Sequence, residues 1–204
     1  MWDIYSQPLP NWRYRLLPTD TRSLISAVFL GLGMTVALQI AERIDFAYSG
    51  GSLFLVAVLL VPQFENPAAM FYGLTGALIV AWINPVVANL TATSPLSFLF
   101  FATNALHTVP LTLMVYAFKP KDRGFNFLEF LIINQVAGLL DVLPIIWGSI
   151  AVLSAPTSVA LFGYLIHQVG FFVASFISYP IMHRLLRSGL VPTAELPATT
   201  THTA

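Results

Sequence analysis

Apolar runs long enough to cross a bilayer recur through the middle of this chain, and no other feature constrains its fold as much. Spanning roughly 30 Å of hydrocarbon takes about 20 apolar residues in a helix. Charged residues make up only 9% of the 204 and hydrophobic ones 57%, whereas about a quarter of a soluble protein is charged. Most of the chain therefore belongs in lipid.

Six segments separated by proline, glycine or charge read as membrane helices: 23–44, 51–63, 67–90, 95–118, 126–154 and 157–187. The second is short, so it is tilted, re-entrant or extended by its flanks. A break is expected at Ile83-Asn84-Pro85 in the third and a kink at Pro144 in the fifth, because proline removes a helical hydrogen bond. The fold class expected is an all-α integral membrane protein, a six-helix bundle.

Orientation follows from the basic residues. With the amino terminus inside, Arg13, Arg15, Arg22, Lys119, Lys121, Arg123, Arg184 and Arg187 all face the cytoplasm and only Arg43 faces outward, as the positive-inside rule requires. Both termini are thus expected to be cytoplasmic. Residues 1–22, where Trp2, Tyr5, Trp12 and Tyr14 interleave with Arg13 and Arg15, read as a retained interfacial segment rather than a cleavable signal. Residues 23–187 form the membrane domain, and the Pro- and Thr-containing residues 188–204 read as a disordered tail. The lack of a targeting segment fits a prokaryotic cytoplasmic (inner) membrane.

Polar groups at membrane depth cost several kcal/mol unless paired, so each is a site hypothesis. Asn104 and His107 share a face of the fourth helix, Asn134, Gly138 and Asp141 share one on the fifth, and His167 and Gln168 sit on the sixth. By a 1.5 Å rise per residue, Asn104, His107, Asp141, His167 and Gln168 lie at one depth, roughly 14–20 Å below the outer surface. They are expected to meet in a polar cavity whose mouth is formed by Glu42, Asp45, Asn84, Asn89 and Trp147. Asp141 with a histidine would hold a cationic or polar heterocyclic ligand, with Trp147 or Tyr164 stacking on it. Equally open is that Asp141 pairs with a histidine or with the amides only to bind helices together.

Other chemistry is excluded or unsupported. Nine Lys+Arg balance nine Asp+Glu, leaving no basic face for nucleic acid. The absence of cysteine removes thiolate catalysis and Cys-based metal sites. No HExxH or phosphate-cradling glycine loop occurs, so the chain reads as a non-enzyme without cofactor or metal, and energy from ATP would have to come from another subunit.

Small residues recur at four-residue spacing on the first helix, as Ser23, Ala27, Gly31 and Thr35 and as Gly33, Ala37 and Ala41. In lipid such rows let helices approach closely, here either within the bundle or against a docking partner through Ala27, Gly31, Ala37 and Ala41. With Ala37-Leu-Gln-Ile-Ala41, the run Pro67 to Ile79 opening the third helix and the closing Leu185 to Leu190, residues 24–187 resemble the substrate-binding S-components of energy-coupling-factor vitamin importers. The resemblance implies a subunit that captures a vitamin-like small molecule from outside, energised by a separate membrane coupling protein and ATPases. Two other readings stand beside it. One is an accessory subunit of a larger bioenergetic complex, supported by the 16 Phe, 7 Tyr and 4 Trp; the other is a small proton-coupled transporter with Asp141 and His107 or His167 as its relay.

Overall fold

The computed structural model describes residues 2–9, 16–18, 20–118, 124–188 and 191. A one-turn helix α1 (Asp3–Ser6) precedes α2 (Thr21–Ser49), α3 (Ala57–Thr91), α4 (Phe100–Phe118), α5 (Phe127–Asp141), α6 (Leu143–Ala151) and α7 (Thr157–Arg187), and a short 3-10 turn, Ser97–Leu99, leads into α4. Strand is absent among the described residues. Five helical stretches are long and apolar enough to cross a membrane.

One of the five, α3, is two limbs. A straight helix of its 35 residues would be about 50 Å long at 1.5 Å per residue. Yet its first amide, that of Ala57, bonds Asp45 near the end of α2, while Asn84 and Thr91 near its other end bond Glu42 and Gln39 of the same stretch. Midway, Phe64 lies over Gly33. The chain therefore descends along α2 over residues 57–72 and returns over 74–91. The reversal is at Gly73, whose φ of 58° and ψ of −165° fall in a region open essentially to glycine alone. Six passes through the bundle result.

This moves two expected boundaries. The break anticipated at 64–66 is continuous helix, as is Ile83-Asn84-Pro85, because Pro62, Pro67 and Pro85 are all carried inside α3. A proline removes one N–H and strains one turn, which neighbouring helices can absorb in lipid. At Pro144 the expected kink is real: α5 ends at Asp141 and α6 begins with proline in its first turn.

The passes close into a ring in which α2, the second limb of α3, α4, α5 with α6, α7 and the first limb of α3 are successive neighbours. Close approach is set by missing side chains. A Cβ on Gly31 would lie 3.1 Å from the Val80 backbone, and one on Gly170 would lie 2.6 Å from the Val58 side chain. Ala27, Gly31 and Ala41 are buried within the ring and Ala37 is half-buried, so the chain's own helices occupy most of the row weighed above as a docking face.

The exterior is apolar: Phe29, Val36, Leu90, Leu128, Leu165 and Val169 are all more than 60% exposed. Glu42, Asp45, Glu65, Asn84, His107, Asn134 and Asp141 are all buried. An apolar rind around a polar interior is the distribution expected of a chain whose solvent is lipid.

At the end opposite Gly50, residues 2–9 lie across the bundle. Leu9 is fully buried and its amide bonds the Phe125 carbonyl; Tyr5 donates to the Phe176 carbonyl at 2.6 Å; Arg187 donates to the Gln7 side chain at 2.9 Å. The beginning of the chain and the end of α7 thus share one face, together with Arg22 and Arg184. Trp12, Arg13, Tyr14, Arg15, Lys119, Lys121, Arg123 and nearly all of 188–204, on which the orientation and the disordered tail were argued, lie outside the described residues.

Candidate functional site

Polar side chains form successive clusters along the axis of the ring. Outermost, Asp45 accepts from the amides of Leu55, Val56 and Ala57 at 2.9 Å each, which satisfies the open N–H groups at the start of α3. Asp45 is therefore a helix cap and not a cavity wall. Asn89 is likewise structural, donating to the Pro85 and Ser97 carbonyls.

Below it, Glu42 accepts from Asn84 Nδ2 at 2.7 Å and from Thr93 Oγ1 at 3.0 Å. Across the bundle, His167 Nε2 and Asp141 Oδ1 are 2.7 Å apart. Between these two groups is a cavity of about 50 Å³ lined by Glu42, Asn84, Thr103, Asn104, Asp141 and His167 on its polar sides. Phe54, Phe100 and Ile145 also line it, the first two edge to face at 5.6 Å between ring centres. Two of its polar atoms, Asn84 Oδ1 and Thr103 Oγ1, have no hydrogen-bond partner among the described residues. Buried polar atoms are almost always partnered, and these two are exceptions beside the cavity.

Phe171 forms the floor. Its ring stacks on His167 at 4.7 Å and meets the edge of His107 at 4.9 Å. Gly138 makes room for it, since a Cβ there would be 2.8 Å from the ring.

Beneath Phe171 is a second carboxylate–imidazole pair. Glu65 Oε2 bonds His107 Nδ1 and accepts from Thr108 Oγ1 at 2.9 Å. Both side chains are completely buried. Asn134 Oδ1 lies 3.4 Å from His107 Nε2, and Asn134 Nδ2 donates to Ser175 Oγ at 2.8 Å. The other oxygen of Glu65 has no partner among the described residues. On the same turn of α3 as Glu65 but toward α7, Ser178 Oγ accepts from Asn66 Nδ2 and donates to Gln63 Oε1, and closer to the end of α7 Tyr179 and His183 reach the Gln7 carbonyl.

Of the residues expected to converge, Glu42, Asn84, Asn104, Asp141 and His167 line the cavity. His107 does not; it sits below Phe171 with Glu65. Gln168 donates to the Gly138 carbonyl at 2.8 Å and ties α7 to α5. Trp147 is 57% exposed on the outside of α6 rather than poised over Asp141, because α6 buries the face that carries Ile145, Gly148 and Ser149. Glu65 was missed outright. Gln63-Phe64-Glu65-Asn66-Pro67 looks like a polar, proline-ended loop, and only its position eight residues into α3 shows it as membrane interior.

No protein-family model, curated protein or solved structure matches the chain.

Proposed function

We propose that the chain captures a small polar, cation-bearing solute from the face where α2 ends, and that this face is extracytoplasmic. The observation that carries this reading is the small cavity between the carboxylates of Glu42 and Asp141, beside which two polar atoms, Asn84 Oδ1 and Thr103 Oγ1, have no partner among the described residues. Two carboxylates, two amides and an imidazole suit an amine or a protonated heterocycle, and the Phe54, Phe100 and Phe171 rings offer it apolar faces.

The cavity has room for a few waters, well below the roughly 300 Å³ at which drug-sized ligand sites begin. A vitamin-sized solute enters only if side chains lining the cavity, such as Phe54, Phe100 and Ile145, move apart. On this reading the basic ends Arg22, Arg184 and Arg187 face the cytoplasm of a prokaryotic cell, and the S-component resemblance supplies the energy source, a separate coupling protein with its ATPases.

Native mass spectrometry after purification in mild detergent without added ligand tests the proposal. A stoichiometric small molecule released on denaturation, and lost in Asp141→Ala, supports capture. Large co-purifying subunits around an empty cavity would establish the accessory-subunit reading instead.

A further inference from the structure

The sealed pair under Phe171 has no role in solute capture, because it does not touch the cavity. Burying a carboxylate and an imidazole with no exposure at all, at a depth where ionisable residues are expensive, calls for a separate account. Structural bonding alone explains it poorly: Glu65 leaves one oxygen unpartnered, and an apolar pair of similar volume would pack these helices at less cost.

The placement of the pair is informative. It is one of several polar clusters spaced along the ring: Glu42 and Asn84, then Asp141 with His167, then Glu65 with His107, Thr108, Asn134 and Ser175, flanked toward α7 by Asn66, Gln63 and Ser178, with the Gln7, His183 and Arg187 face beyond. On α7 alone, His167, Phe171, Ser175 and Ser178 fall on one helical face. Between the Asp141–His167 and Glu65–His107 pairs stands the Phe171 ring, which contacts an imidazole on each side. Charged and titratable groups reach Glu65 from two sides: His107 from α4 and the field of Asp141 from α5. On α7, Phe171 packs on His107, the partner of Glu65, with His167 on the other side of that ring.

We propose that Glu65 and His107 form an intramembrane proton-binding site, loaded from the Asp141–His167 pair when Phe171 swings aside. Proton exchange between two carboxylate–imidazole pairs balances without any other reactant. One N–H or O–H bond breaks at the outer pair, one forms at the inner pair, and water admitted from the cavity bridges them. Release is toward the Asn66, Ser178 and Gln63 cluster. Phe171 in its resting position keeps protons from leaking between the two pairs.

The inference stands on these polar clusters and is independent of the solute. Its test uses the proton alone, in proteoliposomes of the purified full chain with an internal pH-sensitive dye and a potassium diffusion potential. Phe171→Ala should raise proton influx by roughly tenfold or more, the effect of about 1.4 kcal/mol taken off the barrier, and adding Glu65→Gln should return it to the wild-type level. No rise in a folded Phe171→Ala, or a rise that persists with Glu65→Gln, overturns the proposal. Should Phe171→Ala not fold, Phe171→Leu takes its place. Infrared difference spectra of the wild type are the second readout: a deuterium-sensitive protonated-carboxyl band that changes with pH and is missing in Glu65→Gln is expected. A spectrum that Glu65→Gln leaves unaltered refutes the site. Either failure leaves the solute reading untouched, since mass spectrometry decides that separately.

Discussion

Replacing one member of the Glu65–His107 pair should cost far more than replacing both. Glu65 Oε2 carries the bonds from His107 and Thr108, and Oε1 has no partner among the described residues. Removing the imidazole in His107→Leu therefore strands a fully buried carboxyl group on a single hydroxyl donor. Breaking a buried ion pair from one side costs about 3–5 kcal/mol, while exchanging both partners for apolar residues is often neutral. An ordinary interhelical hydrogen bond in a membrane contributes about 0.6 kcal/mol, so the two cases are separable. Glu65→Met and His107→Leu are each expected to lose about 3–5 kcal/mol, and the double variant less than either single one. Reversible unfolding in mixed micelles with increasing denaturing detergent measures all four proteins. Additive losses in the double variant, or single losses near 0.6 kcal/mol, would refute the argument that a charge pair holds this level of the bundle.

Three further outcomes are expected. Single cysteines, clean in a chain that has none, should react with an impermeant maleimide from one side at Ser6 and Ser188 and from the other at Ser52 and Ala92; if 52 and 92 label from opposite sides, the reversal at Gly73 is wrong. Gly73→Ala should destabilise by about 1–3 kcal/mol because of its backbone region, seen as a lower midpoint in the same detergent unfolding, and an unchanged midpoint counts against that geometry. Asp45→Ala should cost about 0.5–2 kcal/mol as a lost helix cap and speed deuterium exchange of the Leu55 to Ala57 amides, leaving exchange elsewhere unaltered.

What the sequence determined on its own is the solvent and the element type. The density of apolar residues with few charges admits only helices in lipid, and the ends of the first, fourth and sixth expected helices, near 44, 118 and 187, come close to the observed Ser49, Phe118 and Arg187. Asn104, Asp141 and His167 were legible as cavity-lining because a polar side chain deep in an apolar run stands out by its cost, while Glu42 and Asn84, expected at the mouth, line the cavity itself. Glu65 was not, since polar neighbours and Pro67 hid it in what reads as a loop. The tertiary structure decided where the second and third passes divide, because a glycine that reverses the chain looks like any other glycine in a membrane helix until both limbs are seen along α2. It also decided the pairing. Depth along each helix is fixed by 1.5 Å per residue, but which histidine faces which carboxylate depends on the rotation of four helices about their axes. That rotation is set by contacts such as Phe171 seated over Gly138 and Val58 over Gly170, which no single segment contains.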